Sequence, residues 1–222
     1  MIVTDATFLG KLHLMDFVDR IASYAPVPAG GAAVANCFCL AVALVYKVVI
    51  FESERTVQAS PVGSNLMMLK KELEILLRDA EKLVDEDSEA YLNFSRSRRM
   101  GDTAQMNQHF NDIIDVSMKI MEKSDVAYEW IRQLHRVAPQ QMNTHLLVAS
   151  ELLMGAINGT VHIVRDNLDS IRVYEKRDNY LKRISELHAS YIQRHREILD
   201  ILSGAPEEPA PNVHRMQPSR KE

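Results

Sequence analysis

The sequence predicts an all-α protein, a single multi-helix bundle around one buried apolar helix. Glycine and proline, eight of each in 222 residues, cluster at a few breaks and leave long uninterrupted stretches between them. Those stretches carry apolar residues at alternating spacings of three and four, which is the period of one helix face. No stretch between the breaks alternates apolar and polar residues as a half-buried strand would.

The breaks divide the chain into predicted helices. They are expected at about 13–24, 31–55, 64–98, 102–137, 141–170 and 172–202. We therefore predict one helical domain over residues 1–203. Residues 204–222, "GAPEEPAPNVHRMQPSRKE", are rich in proline and polar residues, and we expect a disordered tail there.

Composition and the amino terminus exclude several classes of protein. A net charge of −4 with 25% charged residues gives no basic surface for nucleic acid. The start of the chain lacks the basic residues, apolar core and cleavage site of a signal peptide, so we expect a cytoplasmic protein. The only cysteines, Cys37 and Cys39, are predicted to be buried thiols in a reducing compartment, with a redox role as the alternative.

The second predicted helix is apolar on nearly every side between residues 32 and 51. This length would suit a membrane span, and an all-apolar helix is also typical of the centre of a large bundle. Asn36 and Lys47 lie within the segment, and the helices that follow are amphipathic. We therefore predict a buried central helix and no membrane.

The third helix carries an acid on its apolar stripe. The stripe consists of Leu66, Leu69, Leu73, Leu76, Ala80, Leu83, Asp87, Ala90 and Phe94. A buried carboxylate is costly unless it is paired, hydrogen-bonded or protonated. Asp87 is therefore either solvated where the helix leaves the core or, as we favour, directed into a polar cavity. Asp85 lies two residues earlier and off the stripe.

The fifth helix has a similar stripe that ends in an amide. It comprises Met142, Leu146, Ala149, Leu153, Ala156, Thr160, Ile163 and Asn167. Gly155 and Gly159 beside it predict close packing with another helix. His162 and Asp166 share a face and fit a surface ion pair, an acid/base role or half of a metal site. Further ligands at metal spacing are missing, so no metal site is predicted.

The turn "PVPAGG", residues 26–31, precedes the second helix. The amides at a helix start are unpaired and attract anionic or polar groups, and glycines allow a close approach to them. The turn therefore predicts either a ligand contact at the start of this helix or an ordinary turn before a buried helix.

Three stretches together resemble the cyclodeaminase/cyclohydrolase family of one-carbon metabolism. They are "DFVDRIASYAPVPAGGAAVA", "LVDEDSEAYLNF" and "LLVASELLMGAINGTVHIVRDNL". The resemblance implies an all-helical bundle that commonly forms a homodimer. It also implies ligand contacts at Pro28, Gly30 and Gly31, an acidic role for Asp87 with Asp85 as a second candidate acid, and a polar contact at Asn167.

We add His162 to the candidate substrate contacts because it lies beside the stripe of the fifth helix. The implied function is hydrolysis of methenyltetrahydrofolate, with formiminotetrahydrofolate cyclodeamination as the alternative, on a folate substrate and without a further cofactor. A non-catalytic helical scaffold is the other alternative. It rests on departures from the family pattern, including Ala29, Ala32 and the absence of a lysine cluster after the apolar helix.

Overall fold

The computed structural model describes residues 13–56, 60–168 and 174–204. Its helices are α1 Leu14–Ile21, α2 Gly30–Arg55, α3 Pro61–Met100, α4 Thr103–His135, α5 Gln140–Leu168 and α6 Tyr174–Ser203. Across these ranges no strand is present, so the predicted all-α class is confirmed. The predicted tail lies outside the described residues, apart from Gly204.

Local capping chemistry fixes the ends of α3 and the start of α4. The Ser60 hydroxyl accepts a hydrogen bond from the Gly63 amide at 3.0 Å, and Pro61 occupies the first helical position. Gly101, with φ of 70°, ends α3, and Asp102 then accepts from the Gln105 amide at 3.0 Å. The sequence prediction began α3 at residue 64, which is too late, because proline is well suited to the first turn of a helix.

The helices α2 to α5 run antiparallel to their neighbours in sequence. Lys119 of α4 donates to Glu86 of α3 at 2.9 Å, and Lys123 donates to Asp79 at 2.8 Å. Residue numbers therefore rise along α4 as they fall along α3. α2 packs along both α3 and α5 and touches α4 more lightly.

The predicted close packing of the glycine-bearing helix is confirmed between α2 and α5. The Cys37 thiol donates to the Leu152 carbonyl at 3.3 Å. An ideal Cβ at Gly159 would lie 2.5 Å from Cγ2 of Val34, whereas one at Gly155 would meet only the Cys37 sulfur at 3.8 Å. Of these two glycines, Gly159 therefore has the less room for a side chain against α2.

The prediction that residues 32–51 form a buried central helix is not confirmed, because only part of α2 is buried in the single chain. One side is buried from Ala32 to Ser53 against the other helices. The opposite side is open, and Leu40 is 52% exposed there. Three neighbouring helices cover only part of the circumference of α2. Both α2 and α5 are long and apolar enough to cross a bilayer, a property that core helices of bundles share.

The α2–α5 contact leads to a test with two matched glycine variants. Gly155→Ala adds a methyl in ordinary contact with Cys37, and alanine favours the helix by up to about 1 kcal/mol. Gly159→Ala drives its methyl into Val34, and overpacking of this kind costs about 1–3 kcal/mol. We expect urea denaturation to show Gly159→Ala as the less stable variant. Equal stability of the two would contradict this packing.

Candidate functional site

The start of α2 lacks the side chain that usually caps a helix. The N-cap residue is Ala29, whose side chain cannot accept a hydrogen bond. The two residues before Ala29, Val27 and Pro28, are buried and are joined by a cis peptide bond. The first amides of a helix have no acceptor within the helix, so one must come from elsewhere.

Asp87 of α3 supplies that acceptor. Its carboxylate accepts a hydrogen bond from the backbone amide of Ala32, in the first turn of α2. At Gly31, an ideal Cβ would overlap the Asp87 carboxylate. Glycine at position 31 is therefore what lets the carboxylate lie directly on the backbone of α2.

The surroundings of Asp87 favour its protonated form. The residue is only 9% exposed, and burial raises the pKa of its carboxyl to about 6, against the lowering effect of the Ala32 amide. Among the described residues, no cationic side chain forms an ion pair with it. The carboxyl can therefore hold or release a proton near neutral pH. The interpretation of Asp87 as a solvated residue is therefore wrong, whereas its placement in a polar cavity stays a prediction.

The other candidates near this turn differ from Asp87 in their surroundings. Pro28 is buried in the approach to α2. Gly30 is exposed, and a Cβ there would meet no atom within 4 Å. Asp85 is half-buried on another side of α3, since residues two apart point about 200° apart around a helix. The structure thus joins Gly31 with Asp87 and leaves Gly30 and Asp85 outside that contact.

In the described part of the chain, neither candidate on α5 forms a hydrogen bond or ion pair with Asp87. The Asn167 amide donates to the carbonyl of Ile163, in its own helix, at 2.9 Å. Because Gly159 faces Val34 in the antiparallel pair, the end of α5 that carries Asn167 lies beside the start of α2. His162 is exposed on α5, and its charge acts on His188 of α6.

Neither the predicted ion pair nor a metal cluster is present in the described part of the chain. His162 and Asp166 are both exposed and do not pair with each other. Over residues 13–56, 60–168 and 174–204, no group of three or more histidine, cysteine or acidic side chains is placed to hold a metal ion.

The sequence interpretation missed the Ala32 amide as a functional group. We expected the amides at the start of α2 to face a ligand, but that of Ala32 donates to Asp87. The signal was present in the combination of Ala29 at the uncapped position, Gly31 after it and an acid on an apolar stripe. The Asp87 carboxylate therefore occupies part of the anion-binding site that the amides at the start of α2 form.

Comparison with known protein families gives a match over most of the chain. The model of the family described as formiminotransferase-cyclodeaminase matches residues 13–186. The chain belongs to that family. The resemblance inferred from the three stretches is thereby confirmed, and the family match includes both Gly31 and Asp87. A direct comparison with curated protein sequences gives no match.

A solved structure has the same arrangement of helices. It is a formiminotetrahydrofolate cyclodeaminase from Thermotoga maritima, which superposes with a TM-score of 0.79. The alignment covers 87% of this chain and 97% of that one, at 20% sequence identity. At 20% identity, this similarity shows that the two proteins share a fold.

The contact between Gly31 and Asp87 can be tested at a single amide. The Ala32 amide lies in the first turn of α2, where no helical carbonyl accepts from it, and it donates to Asp87. We expect Gly31→Ala to displace the carboxylate and to speed exchange of this amide by about tenfold, the scale of one hydrogen bond. Gly30→Ala, which adds its methyl in open space, should leave the exchange unchanged. Amide exchange followed by NMR would contradict the contact if both variants behaved alike.

Proposed function

We propose that this protein is a folate one-carbon enzyme that hydrolyses methenyltetrahydrofolate, with Asp87 as its catalytic acid/base. The observation that carries the proposal is the buried Asp87 carboxyl, with a pKa of about 6, held on the first turn of α2. Membership of the formiminotransferase-cyclodeaminase family supports the choice of substrate class. The substrate is a tetrahydrofolate adduct, the compartment is the cytoplasm, and no further cofactor is part of the proposal.

The proposed hydrolysis uses both protonation states of one carboxyl. The methenyl carbon carries positive charge shared by two nitrogens, and the Asp87 carboxylate stabilises that charge. Water adds to this carbon and gives a proton to the carboxylate, which then protonates the departing nitrogen as the C–N bond breaks. The product is the 10-formyl compound, with one proton released to solvent. A group that titrates near pH 6 populates both states at neutral pH.

Deamination of a formimino adduct is the second candidate function. The observation that favours it is the fold shared with the formiminotetrahydrofolate cyclodeaminase of Thermotoga maritima. In that reaction the folate nitrogen that does not carry the formimino group attacks the formimino carbon, its proton passes to the imino nitrogen, and the resulting amino group leaves as ammonia. Asp87 in its protonated form would supply the proton to this leaving group. Deamination and hydrolysis thus both need Asp87 to protonate a departing nitrogen.

Asp87→Asn tests the catalytic role because the amide keeps the shape and removes the titrating proton. We expect turnover to fall by about 10²-fold or more, the scale of a lost acid/base group. Loss of methenyltetrahydrofolate absorbance measures hydrolysis, and ammonia release from formiminotetrahydrofolate measures deamination. Asp85→Asn, which changes the neighbouring acid on another side of α3, is the matched control and should lose less activity.

Stability gives a second readout for the same variant. The folded pKa of Asp87 lies above its unfolded value, so its protonation stabilises the fold at low pH, and this contribution is lost as pH rises from about 4 to 6. Asp87→Asn should therefore be as stable as the parent or more stable at pH 7.

Unchanged turnover in Asp87→Asn would show that Asp87 is not the catalytic acid/base. A parent inactive on both substrates would favour the scaffold alternative.

We also propose that the open side of α2 binds a second copy of this chain. Leu40 is 52% exposed on α2, and Val148 is 46% exposed on the neighbouring α5. Leu44 and Leu152 are partly buried beside them. An apolar surface that continues across two helices favours an interface, and a stable homodimer would bury at least about 1,000 Å².

Leu40→Glu tests the homodimer. We expect light scattering at micromolar concentration to give twice the chain mass for the parent and the chain mass for this variant, because a carboxylate would be buried unpaired in the interface. Val126→Glu is the matched control, since Val126 is similarly exposed on α4. A monomeric parent, or a dimer that persists in Leu40→Glu, would contradict this interface.

A further inference from the structure

Past Asp87, the helix α3 continues beyond the start of α2. Because the two helices are antiparallel and Gly31 meets Asp87, residues 88–100 extend about 20 Å past the first turn of α2. The side of α3 that packs on α2 up to Asp87 is therefore no longer covered by that helix. Tyr91, one turn after Asp87, is 41% exposed there.

Four residues of α3 follow this side of the helix in a straight row. They are Asp87, Tyr91, Phe94 and Arg98, at spacings of four, three and four. The last three lie within about 40° of Asp87 around the helix axis and about 6, 10 and 16 Å from it along the axis. We call these four residues the α3 row. It presents an acid, two aromatic rings and a cation, in that order.

The two rings of the row differ in how they are held. Phe94 is half-buried and packs edge-on against Phe110 of α4, with 6.1 Å between the ring centroids. Within the described part of the chain, Tyr91 has neither a ring partner nor a side-chain hydrogen bond. The Tyr91 ring is therefore available to stack on a planar group of a ligand.

Arg98 brings a positive charge to the far end of the row. It is exposed, and no acidic side chain among the described residues forms an ion pair with it. Arg96 and Arg99 are exposed as well, but they lie about 180° and 120° from Asp87 around the axis. Since cations in the last turn stabilise any helix, the alignment with Asp87 is what distinguishes Arg98 from its neighbours.

The order and spacing of the row match one part of the proposed substrate. In methenyltetrahydrofolate, an aminobenzoyl ring is attached to one of the two nitrogens that flank the methenyl carbon, and a glutamate with two carboxylates follows the ring. With the methenyl carbon at Asp87, the ring lies about one helical turn along α3, at Tyr91. Side chains of a helix lean toward its N-terminus, so the Arg98 guanidinium is directed back toward that ring.

We propose that the α3 row binds the aminobenzoylglutamate part of a folate, so that Tyr91 stacks on the aminobenzoyl ring and Arg98 binds a glutamate carboxylate. A guanidinium can hold a carboxylate through two parallel hydrogen bonds. This inference rests on the proposed function and adds to it the residues that select a folate with glutamate over one without it. Both residues act on binding and leave the chemical step to Asp87.

Equilibrium binding of 5-formyltetrahydrofolate, a stable folate, measures the row without turnover. We expect Arg98→Ala to raise its Kd at least about threefold, because a charge-assisted hydrogen bond is lost. The same variant should bind 5-formyltetrahydropteroate, which lacks the glutamate, as the parent does. Arg96→Ala, on the opposite side of α3, is the matched control and should leave both Kd values unchanged.

Two variants of Tyr91 test the stacking. Tyr91→Ala should raise the Kd of both compounds about tenfold, whereas Tyr91→Phe keeps the ring and should bind them like the parent. In the turnover assay, Arg98→Ala and Tyr91→Ala should raise KM and leave kcat unchanged, which is the effect of removing a contact made equally in the ground state and the transition state.

The binding experiment separates the α3 row from the proposed function. If the parent binds 5-formyltetrahydrofolate and either Arg98→Ala or Tyr91→Ala keeps the Kd of the parent, the row is refuted and the proposed function is untouched. If the parent binds neither compound, the row and the folate substrate are both refuted.

Discussion

The contact between the Asp87 carboxylate and the first turn of α2 is the interaction on which the candidate site depends. It requires an antiparallel α2–α3 pair that brings the two together, a glycine at position 31 that leaves room, and an uncapped amide at Ala32. Each requirement is met by a different part of the chain. Because Ala29 has no capping side chain, the Ala32 amide lacks an acceptor, and Asp87, 55 positions after Ala32 in the sequence, supplies it.

The free energy of this contact has an unfavourable and a favourable component. Burial of a carboxylate is unfavourable, and one backbone amide with the partial positive charge of a helix start offsets only part of that cost. The net effect raises the pKa of Asp87 to about 6. The raised pKa and the proposed acid/base role therefore have the same physical origin.

Helix content and the acid on the α3 stripe were predictable from the sequence because both rest on local periodicity. Asp87 interrupts a run of apolar residues at a constant spacing, and its burial follows from that spacing. The start of α3 was misplaced because Pro61 looks like a break yet serves as the first residue of the helix. The partner of Asp87 could not be identified from the sequence, because it is a backbone amide and every residue except proline has one.

The open side of α2 and the contacts of α6 were beyond prediction for a different reason. Composition shows that α2 is apolar around its circumference, but the number of helices that cover it is a property of the tertiary arrangement. Leu40 is exposed for that reason. Likewise, Ser150 and His195 are 45 residues apart, and only the packing of α6 on α5 brings them to 2.9 Å. Sequence reasoning identified Asn167 as a polar end of a stripe without finding its bond to Ile163.

The pKa of the Asp87 carboxyl, measured by NMR titration of its side-chain carbon in the folded parent protein, tests the central claim most directly. The account predicts a value of about 6, well above that of an exposed aspartate, because the group is buried on the first turn of α2 without a cationic partner among the described residues. A value of about 4 or below, the ordinary range of a solvated aspartate, would contradict it.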